Sequence, residues 1–293
     1  MPELPEVETV RRGLHDLIIG RQVKAATSDT PKSFPNAPAQ VNGFLIGATV
    51  IDVRRRAKVL VVNLSTNYSL VVHLKMTGQL VFIGAERAGD IRFGAGHPSD
   101  SLIGQLPDRS TRVTIEFTDR SHLYFNDQRK FGWMRLLPTA EVPILPFMQK
   151  VGPEPLEADF TADVFAARFT RRPRTSIKAA LLDQTVVAGI GNIYADETLW
   201  AARVHPKRLV NTISTAEFEQ LFIHMRRIMS LAIEKGGSTN KNYVNAEGKR
   251  GSYMDFAQVF RREGLACLRC GATIIKFKAA GRGTHICPVC QQL

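Results

Sequence analysis

Four cysteines, the only ones in the chain, fall as Cys267-Leu-Arg-Cys270 and Cys287-Pro-Val-Cys290 with sixteen residues between the pairs. A CxxC knuckle offers two thiolates to one ion from a single tight turn, and two knuckles complete a tetrahedral zinc shell. The intervening length suits a β-hairpin. With four thiolates no coordination position stays open, so one structural Zn2+ is expected rather than a catalytic metal. Cysteines this few and this clustered do not make a secreted disulfide scaffold.

A different chemistry is available at the other end, which reads "MPELPEVETV". Methionine before proline is normally trimmed. Removal of Met1 exposes the secondary amine of Pro2, and α-amines titrate near roughly 7.7 to 8.0, so an unprotonated fraction exists at neutral pH. Such an amine can attack a sugar C1' and form an iminium intermediate. Glu3 beside it can serve as general acid on the ring oxygen. The same residues are also good helix-start chemistry, with proline and glutamates in a first turn that favours negative charge.

A third candidate is "VVAGIGNIYADE", where Gly189 and Gly191 punctuate two helical stretches and Asn192 opens the second. A helix N-terminus of this kind presents unpaired N–H groups and an amide to a phosphate. An ordinary tight helix–helix corner would use the same glycines.

The charge balance says what such groups could meet. Lys plus Arg number 39 and Asp plus Glu 27, a net charge of +12, which favours a polyanion such as nucleic acid. Residues 235–293 alone hold ten Lys/Arg against three acids, so the predicted zinc hairpin is a basic surface. No run approaches the roughly 18 apolar residues of a membrane span, and the acidic start is unlike a signal peptide. A cytoplasmic, nucleoid-associated protein with no membrane partner is expected.

The elements that must position these residues can be read from periodicity. Val7, Val10, Leu14, Leu17 and Ile18 give residues 4–19 one apolar helical face. From about 45 to 137 the pattern becomes short β-branched runs, "ATVIDVRRR", "KVLVVNL", "YSLVVHL", "QLVFIG", "RVTIEF", "HLYFN" and "WMRLL", with no helices between them. That is an antiparallel sandwich. The Gly-rich stretch 83–108 reads as a long loop inserted among the strands. Five prolines in 138–155 resist helix and strand alike and mark a linker. Helices are predicted over 161–171, 175–183, from near 192, and over 215–234, the last with a capping box in Ser214 and Glu217. Residues 236–253 read as a ligand-shaped loop. The fold class is therefore α+β: a sandwich domain with a leading helix (1–137), a linker (138–155), a helical domain with its loop (156–260) and a zinc finger (261–293).

Taken jointly, "MPELPEVETVRRGL", "RRRAK", "HLKMTG", "DQRKFG", "GPEPL", "LLDQTVVAGIGNIYADE", "VNAEGKRG", "CLRC" and "AGRGTHICPVCQ" resemble the formamidopyrimidine-DNA glycosylase family over essentially the whole chain. "PELPE" favours this branch over the endonuclease VIII group, which typically starts "PEGPE". The resemblance implies a β-sandwich, a helix-two-turn-helix domain and a zinc finger. It implies a monomeric bifunctional DNA glycosylase and AP lyase that acts on oxidised purines in damaged double-stranded DNA.

By the same resemblance Pro2 is the nucleophile, Glu3 the acid/base carboxylate, and Lys58 a catalytic and DNA-contacting lysine. Arg282 matches the zinc-finger arginine, a catalytic residue that binds the flanking phosphates and serves the δ-elimination. Met76, Arg129 and Phe131 match the residues that fill the stack when a base is everted, with Arg129 toward the orphaned cytosine. Asn192, Lys178 and Arg174 match DNA-backbone contacts, Lys241 a contact in a loop over the everted base, and Glu6 and Glu197 carboxylates lining the lesion pocket. The chain departs from the family at "DRSTR", where Arg109 or Arg112 would stand in for a Lys-His-x-His phosphate contact, and at Gln128, where many relatives have proline. Two alternatives accompany this reading: the same chemistry on oxidised pyrimidines, and a catalytically silent zinc-finger protein that senses lesions.

Overall fold

The first helix, α1 (Leu4–Ile18), starts where Glu3 and Glu6 close a capping box, the Glu3 N–H donating to Glu6 Oε2 at 2.7 Å. Pro5 sits in the first turn, where a missing N–H breaks no helical bond. Val7, Val10, Leu14 and Ile18 are fully buried. Each contributes about 1.5–3 kcal/mol on burial, against about 1 kcal/mol for a good cap. Packing rather than capping therefore holds α1, and with it the residues just ahead of it.

The structure is a computed structural model that describes residues 1–85, 91–97, 99–238 and 252–293. Its contacts separate two units, Met1–Gln149 with Lys235–Ser252, and Lys150–Glu234 with Tyr253–Leu293. The first unit contains two antiparallel sheets. One comprises β1 (Val23–Thr27), β5 (Gly78–Ile83), β6 (Arg92–Gly96), β7 (Thr111–Phe117) and β8 (His122–Asp127) in the order β1-β7-β8-β5-β6. The other comprises β2 (Val50–Arg56), β3 (Val59–Leu64), β4 (Tyr68–His73) and β9 (Trp133–Pro138) in the order β2-β3-β4-β9. Leu60, Val62, Leu70 and Val72 from one sheet join Leu80, Phe82, Ile115 and Phe125 from the other in a single core that includes the apolar face of α1. The predicted sandwich with its leading helix is what forms.

The stretch 83–108 is not simply a loop. β6 pairs with β5 from Gln79↔Gly96 to Ile83↔Arg92, and the turn Asp100–Leu102 follows it. The glycines that disguised this strand serve packing: a Cβ on Gly96 would stand 2.5 Å from the Gly78 carbonyl oxygen of β5, and Gly13, outside the strand, makes room in the same way. A Cβ on Gly13 of α1 would stand 2.1 Å from the Phe93 ring, so Phe93 reaches the helix backbone only because that residue is glycine. The proline-rich stretch likewise holds a short helix, α3 (Pro146–Lys150), with proline at its start where it is tolerated. A further short helix, α2 (Pro38–Phe44), has too few turns to show a period.

The second unit is helical: α4 (Ala162–Phe169), α5 (Ile177–Leu182), α6 (Asn192–Ala201) and α7 (Thr215–Glu234). The Ser214–Glu217 capping box is present, the Ser214 N–H donating to Glu217 at 2.8 Å and the Glu217 N–H to Ser214 Oγ at 3.3 Å. Phe218, Leu221, Met225 and Met229 of α7 are buried. A two-stranded ribbon, β10 (Ile275–Ala279) and β11 (Arg282–Ile286), lies between the cysteine pairs as the spacing predicts. No described helix is long and apolar enough to cross a membrane.

Candidate active site and nucleic-acid interface

Pro2 and Glu3 are buried directly ahead of α1. Glu6 is held from two directions: its Oε2 accepts the Glu3 N–H and its Oε1 accepts the Ser238 N–H, each at 2.7 Å. Gly237 makes the second contact possible, with φ at +83° and a Cβ position only 3.0 Å from Glu6 Oε1. Glu6 thus ties the segment after α7 to the helix start. Glu8, two residues on, accepts from Arg11, Arg12 and Arg55 at 3.0–3.1 Å. Burial pushes its carboxyl up, but Arg11, Arg55 and Arg12 together bring it below the usual range.

Lys58 is buried in the β2–β3 turn, next to Ala57 at φ 52°. The residue after it, Val59, pairs with His73 at the end of β4. Burial, with the positive charges of Lys75 and Lys58, holds the His73 imidazole down at about 3. Its Nδ1 accepts the Lys75 N–H at 3.0 Å, so the ring is neutral with its proton on Nε2.

Met76 in the β4–β5 turn meets Arg129 in the β8–β9 turn, and Arg129 in turn covers Phe131. Arg129 Nη1 lies 4.0 Å from Met76 Sδ, and its guanidinium lies 5.0 Å from the centre of the Phe131 ring. Phe131 is 47% exposed, which burial energetics alone would not select for a phenylalanine. The two turns are fixed by Asp127, a residue sequence reasoning missed. Its Oδ1 accepts from the Thr77 hydroxyl and from the Arg129 N–H at 3.2 Å, and its Oδ2 from the Gly132 N–H at 2.6 Å. The signal was present in "NDQRKFG": a short carboxylate at a strand end accepts N–H groups from the turn it opens.

Arg112 is 6% exposed, and its donors go to the carbonyls of Asp127 at 2.8 Å and Arg109 at 2.9 Å. It braces the same turn from below, while the side chain of Arg109 is exposed.

In the second unit Lys178 does not reach solvent. Its ammonium donates to Asp196 at 2.6 Å and to Thr284 Oγ1 at 2.7 Å, and Asp196 in turn accepts the His285 N–H at 2.9 Å. Asn192, at the start of α6, donates from its side chain to the Gly283 carbonyl at 2.9 Å. These contacts lock α5 and α6 to β11. Ala280 and Gly281, at φ 50° and 70°, form the tight primed turn of the ribbon and set the exposed Arg282 immediately after it. Arg174 is exposed ahead of α5.

Glu197 is 1% exposed, and its carboxylate accepts the N–H groups of Gln258, Val259 and Phe260 at 2.8–3.1 Å and the Tyr253 hydroxyl at 3.1 Å. Burial pushes its pKa up against the pull of those donors. It anchors the chain entering the zinc finger. Lys241 lies outside the described residues.

The four cysteine sulfurs lie within 4.8 Å of one another. Tetrahedral zinc with Zn–S bonds of about 2.3 Å requires S···S edges of about 3.8 Å, and the pairs 267–290, 270–287 and 270–290 stand at 4.0, 3.4 and 3.5 Å. The donor set fits one structural Zn2+. Arg269, inside the first knuckle, donates to the Trp200 and Ala201 carbonyls at 3.1 and 3.2 Å and covers the Trp200 ring at 4.1 Å. The knuckle thereby caps the C-terminus of α6.

Comparison with known proteins meets this arrangement at every part. Three family models match: the formamidopyrimidine-DNA glycosylase N-terminal domain over residues 1–134, the formamidopyrimidine-DNA glycosylase H2TH domain over 151–243, and the zinc finger found in FPG and IleRS over 264–293. The formamidopyrimidine-DNA glycosylase of Herpetosiphon aurantiacus is 40% identical over 300 residues, covering 99% of this chain and all of the relative. That of Streptococcus pyogenes is 40% identical over 293 residues, covering 100% of this chain and 99% of its own. Lactococcus lactis Fpg, solved in complex with an abasic-site-containing DNA, superposes with a TM-score of 0.86 at 35% identity, covering 99% of this chain and 100% of that one. The wild-type Lactococcus lactis protein in complex with N7-benzyl-Fapy-dG-containing DNA gives 0.85 at 34% identity with full coverage of both chains. The chain belongs to the formamidopyrimidine-DNA glycosylase family.

Proposed function

We propose that this protein is a bifunctional DNA glycosylase and AP lyase that removes oxidised purines, 8-oxoguanine and formamidopyrimidines, from duplex DNA in the cytoplasm. The observation that carries the proposal is the Met76–Arg129–Phe131 cluster. An exposed aromatic ring, a thioether and a guanidinium stand on two turns braced by Asp127 and Arg112, which suits filling a stack from which a base has been everted.

With Met1 removed, the Pro2 nitrogen lone pair attacks C1' of the everted nucleotide and the C1'–base bond breaks, the base leaving with the proton that the Pro2 nitrogen sheds. Glu3 then protonates the ring oxygen as the C1'–O4' bond opens, which yields the iminium on Pro2. Loss of a C2' proton expels the 3' phosphate, and a second elimination expels the 5' phosphate. Lys58 serves the proton transfers near the first elimination. Arg282 and Asn192 hold the flanking phosphates, with Arg174 and Arg109 on the backbone further out. Lys178 and Arg112 act from beneath this surface, on the hairpin and the turn. Lys241 completes the contacts from the loop over the everted base, and Glu6 and Glu197 shape the pocket by anchoring chain segments.

Trapping decides the matter. The mature protein incubated with an 8-oxoguanine:C duplex and borohydride should yield a covalent adduct that maps to Pro2. Binding without adduct or strand cleavage overturns the proposal in favour of a silent lesion-binding protein, and a preference for thymine glycol or dihydrouracil duplexes overturns the purine assignment.

A further inference from the structure

A cavity of about 430 Å3 in the second unit is lined by Lys150, Arg168, Arg171, Arg172, Thr185 and Val186. Four of those six residues are cations. Arg168 is fixed across the wall: its Nη2 donates to the Thr185 carbonyl at 2.5 Å and its Nε to the Val186 carbonyl at 3.4 Å. The carboxylate beside it is already taken. Asp183 accepts the Thr185 N–H and hydroxyl at 2.9 and 2.7 Å on Oδ1 and pairs with Arg172 at 2.7 Å on Oδ2. Lys150 and Arg171 are exposed and form no ion pair among the described residues.

This is unlike the arginines near α1, where Glu8 gathers Arg11, Arg12 and Arg55 around one carboxylate. A helix dipole does not explain it either. Arg168 lies in the last turn of α4, where a cation is favourable, but Lys150 belongs to a different helix and Arg171 and Arg172 lie beyond the end of α4. Like charges converging on a concave surface focus a positive potential, and they are relieved by an anion with several oxygens.

We propose that this cavity is a second oxyanion site, separate from Arg282 and Asn192, which takes phosphate groups of a nucleic-acid backbone or of a free polyphosphate. A guanidinium pre-set by two carbonyls offers its remaining donors in a fixed plane, and Lys150 and Arg171 close around the oxygens as mobile charges. The backbone source rests on the DNA-binding reading above; the free-polyphosphate source does not.

The test uses the full-length zinc-bound protein with Lys150→Gln and Arg171→Gln together, and Arg171→Glu as a second variant. Both positions are exposed, so thermal melting should match the parent. The first arm measures binding to undamaged duplex across a salt series. Each phosphate contact contributes about 0.9 to the slope of log K against log salt, so the double variant should lower that slope by about 1 to 2 while turnover at saturating lesion duplex is unchanged. The second arm titrates tripolyphosphate alone by calorimetry. A reduced slope supports the backbone source. Saturable tripolyphosphate binding, lost in the variants with the slope unchanged, supports the free source. An unchanged slope together with no tripolyphosphate binding overturns the site. If the parent fails to bind duplex at all, the DNA-binding reading falls and the tripolyphosphate arm alone judges the cavity.

Discussion

The ammonium of Lys178 meets the carboxylate of Asp196 at 2.6 Å with neither side chain reached by solvent. A buried pair of this kind adds little over a well-packed apolar pair of the same shape, but breaking one partner strands the other charge. Asp196→Asn should therefore cost about 3–5 kcal/mol of stability, because the buried Lys178 ammonium loses its counter-ion. The double variant Lys178→Met with Asp196→Leu should recover only part of that loss, since the buried His285 N–H that Asp196 accepts is left unpaired. Urea midpoints of the three proteins check it, and a single variant as stable as the parent would show that the pair is not held as described. The double variant should still lose strand cleavage, since Thr284 and the hairpin that carries Arg282 lose their anchor.

The zinc should hold that hairpin. Between the knuckles, β10 and β11 form only a two-stranded ribbon, too small to persist alone in water. Native mass measurement is expected to find one zinc per chain. A strong chelator should unfold the ribbon and abolish duplex binding, and added zinc should restore both. Cys270→Ser, at an exposed ligand, should lower zinc retention and duplex affinity together. Full DNA binding by a metal-free protein would refute the arrangement.

His73 makes the fold acid-sensitive. Inside the protein its imidazole stays neutral down to about 3, while its ordinary value is 6.5. Between those values the unfolded chain binds a proton that the folded chain refuses. Stability should fall as pH drops below about 6.5, by up to about 1.4 kcal/mol per pH unit, until the folded ring also titrates. His73→Asn removes this contribution. Urea midpoints of parent and variant at about pH 7 and about pH 4.5 should converge as the pH falls, if the linkage holds. Parallel loss of stability in the two proteins would assign the acid sensitivity elsewhere.

The fold was legible wherever its cause is local. The α1 face repeats every three to four residues, the strands of the sandwich carry β-branched runs, and the cysteine pairs announce their shared centre by spacing alone. β6 was not legible because its sequence, "RFGAG", carries one anchoring side chain, Phe93, and its ladder comes from β5. Lys178 looks like a helix-start cation in sequence; its partners are 18 and 106 residues away, and nothing local announces them. Glu197 hides in the same way, since its donors lie beyond position 252 and gather at a single carboxylate only after folding. Long-range polar contacts of this kind leave no period in the chain, and they set much of the geometry around the candidate site.

Asp127 tests whether those contacts matter to function. It sits beneath the wedge, 1% exposed, with one oxygen on Thr77 and Arg129 and the other on Gly132. Every one of those partners is a donor. Asp127→Asn replaces one oxygen by an amide NH2, so a donor must face a donor in a buried place, at a cost of about 1–3 kcal/mol. The β8–β9 turn should loosen, and Arg129 and Phe131 should lose their fixed relation to Met76. Fluorescence of 2-aminopurine placed beside the lesion reports eversion directly, and Asp127→Asn should reduce its rise about as strongly as Phe131→Ala does. Phe131→Ala, which removes an exposed side chain, should leave the urea midpoint nearly unchanged, whereas Asp127→Asn should lower it. Normal eversion by a destabilised Asp127→Asn protein would mean that the turn keeps its shape without the carboxylate, and would leave Arg112, through its bond to the Asp127 carbonyl, as the brace that positions the wedge.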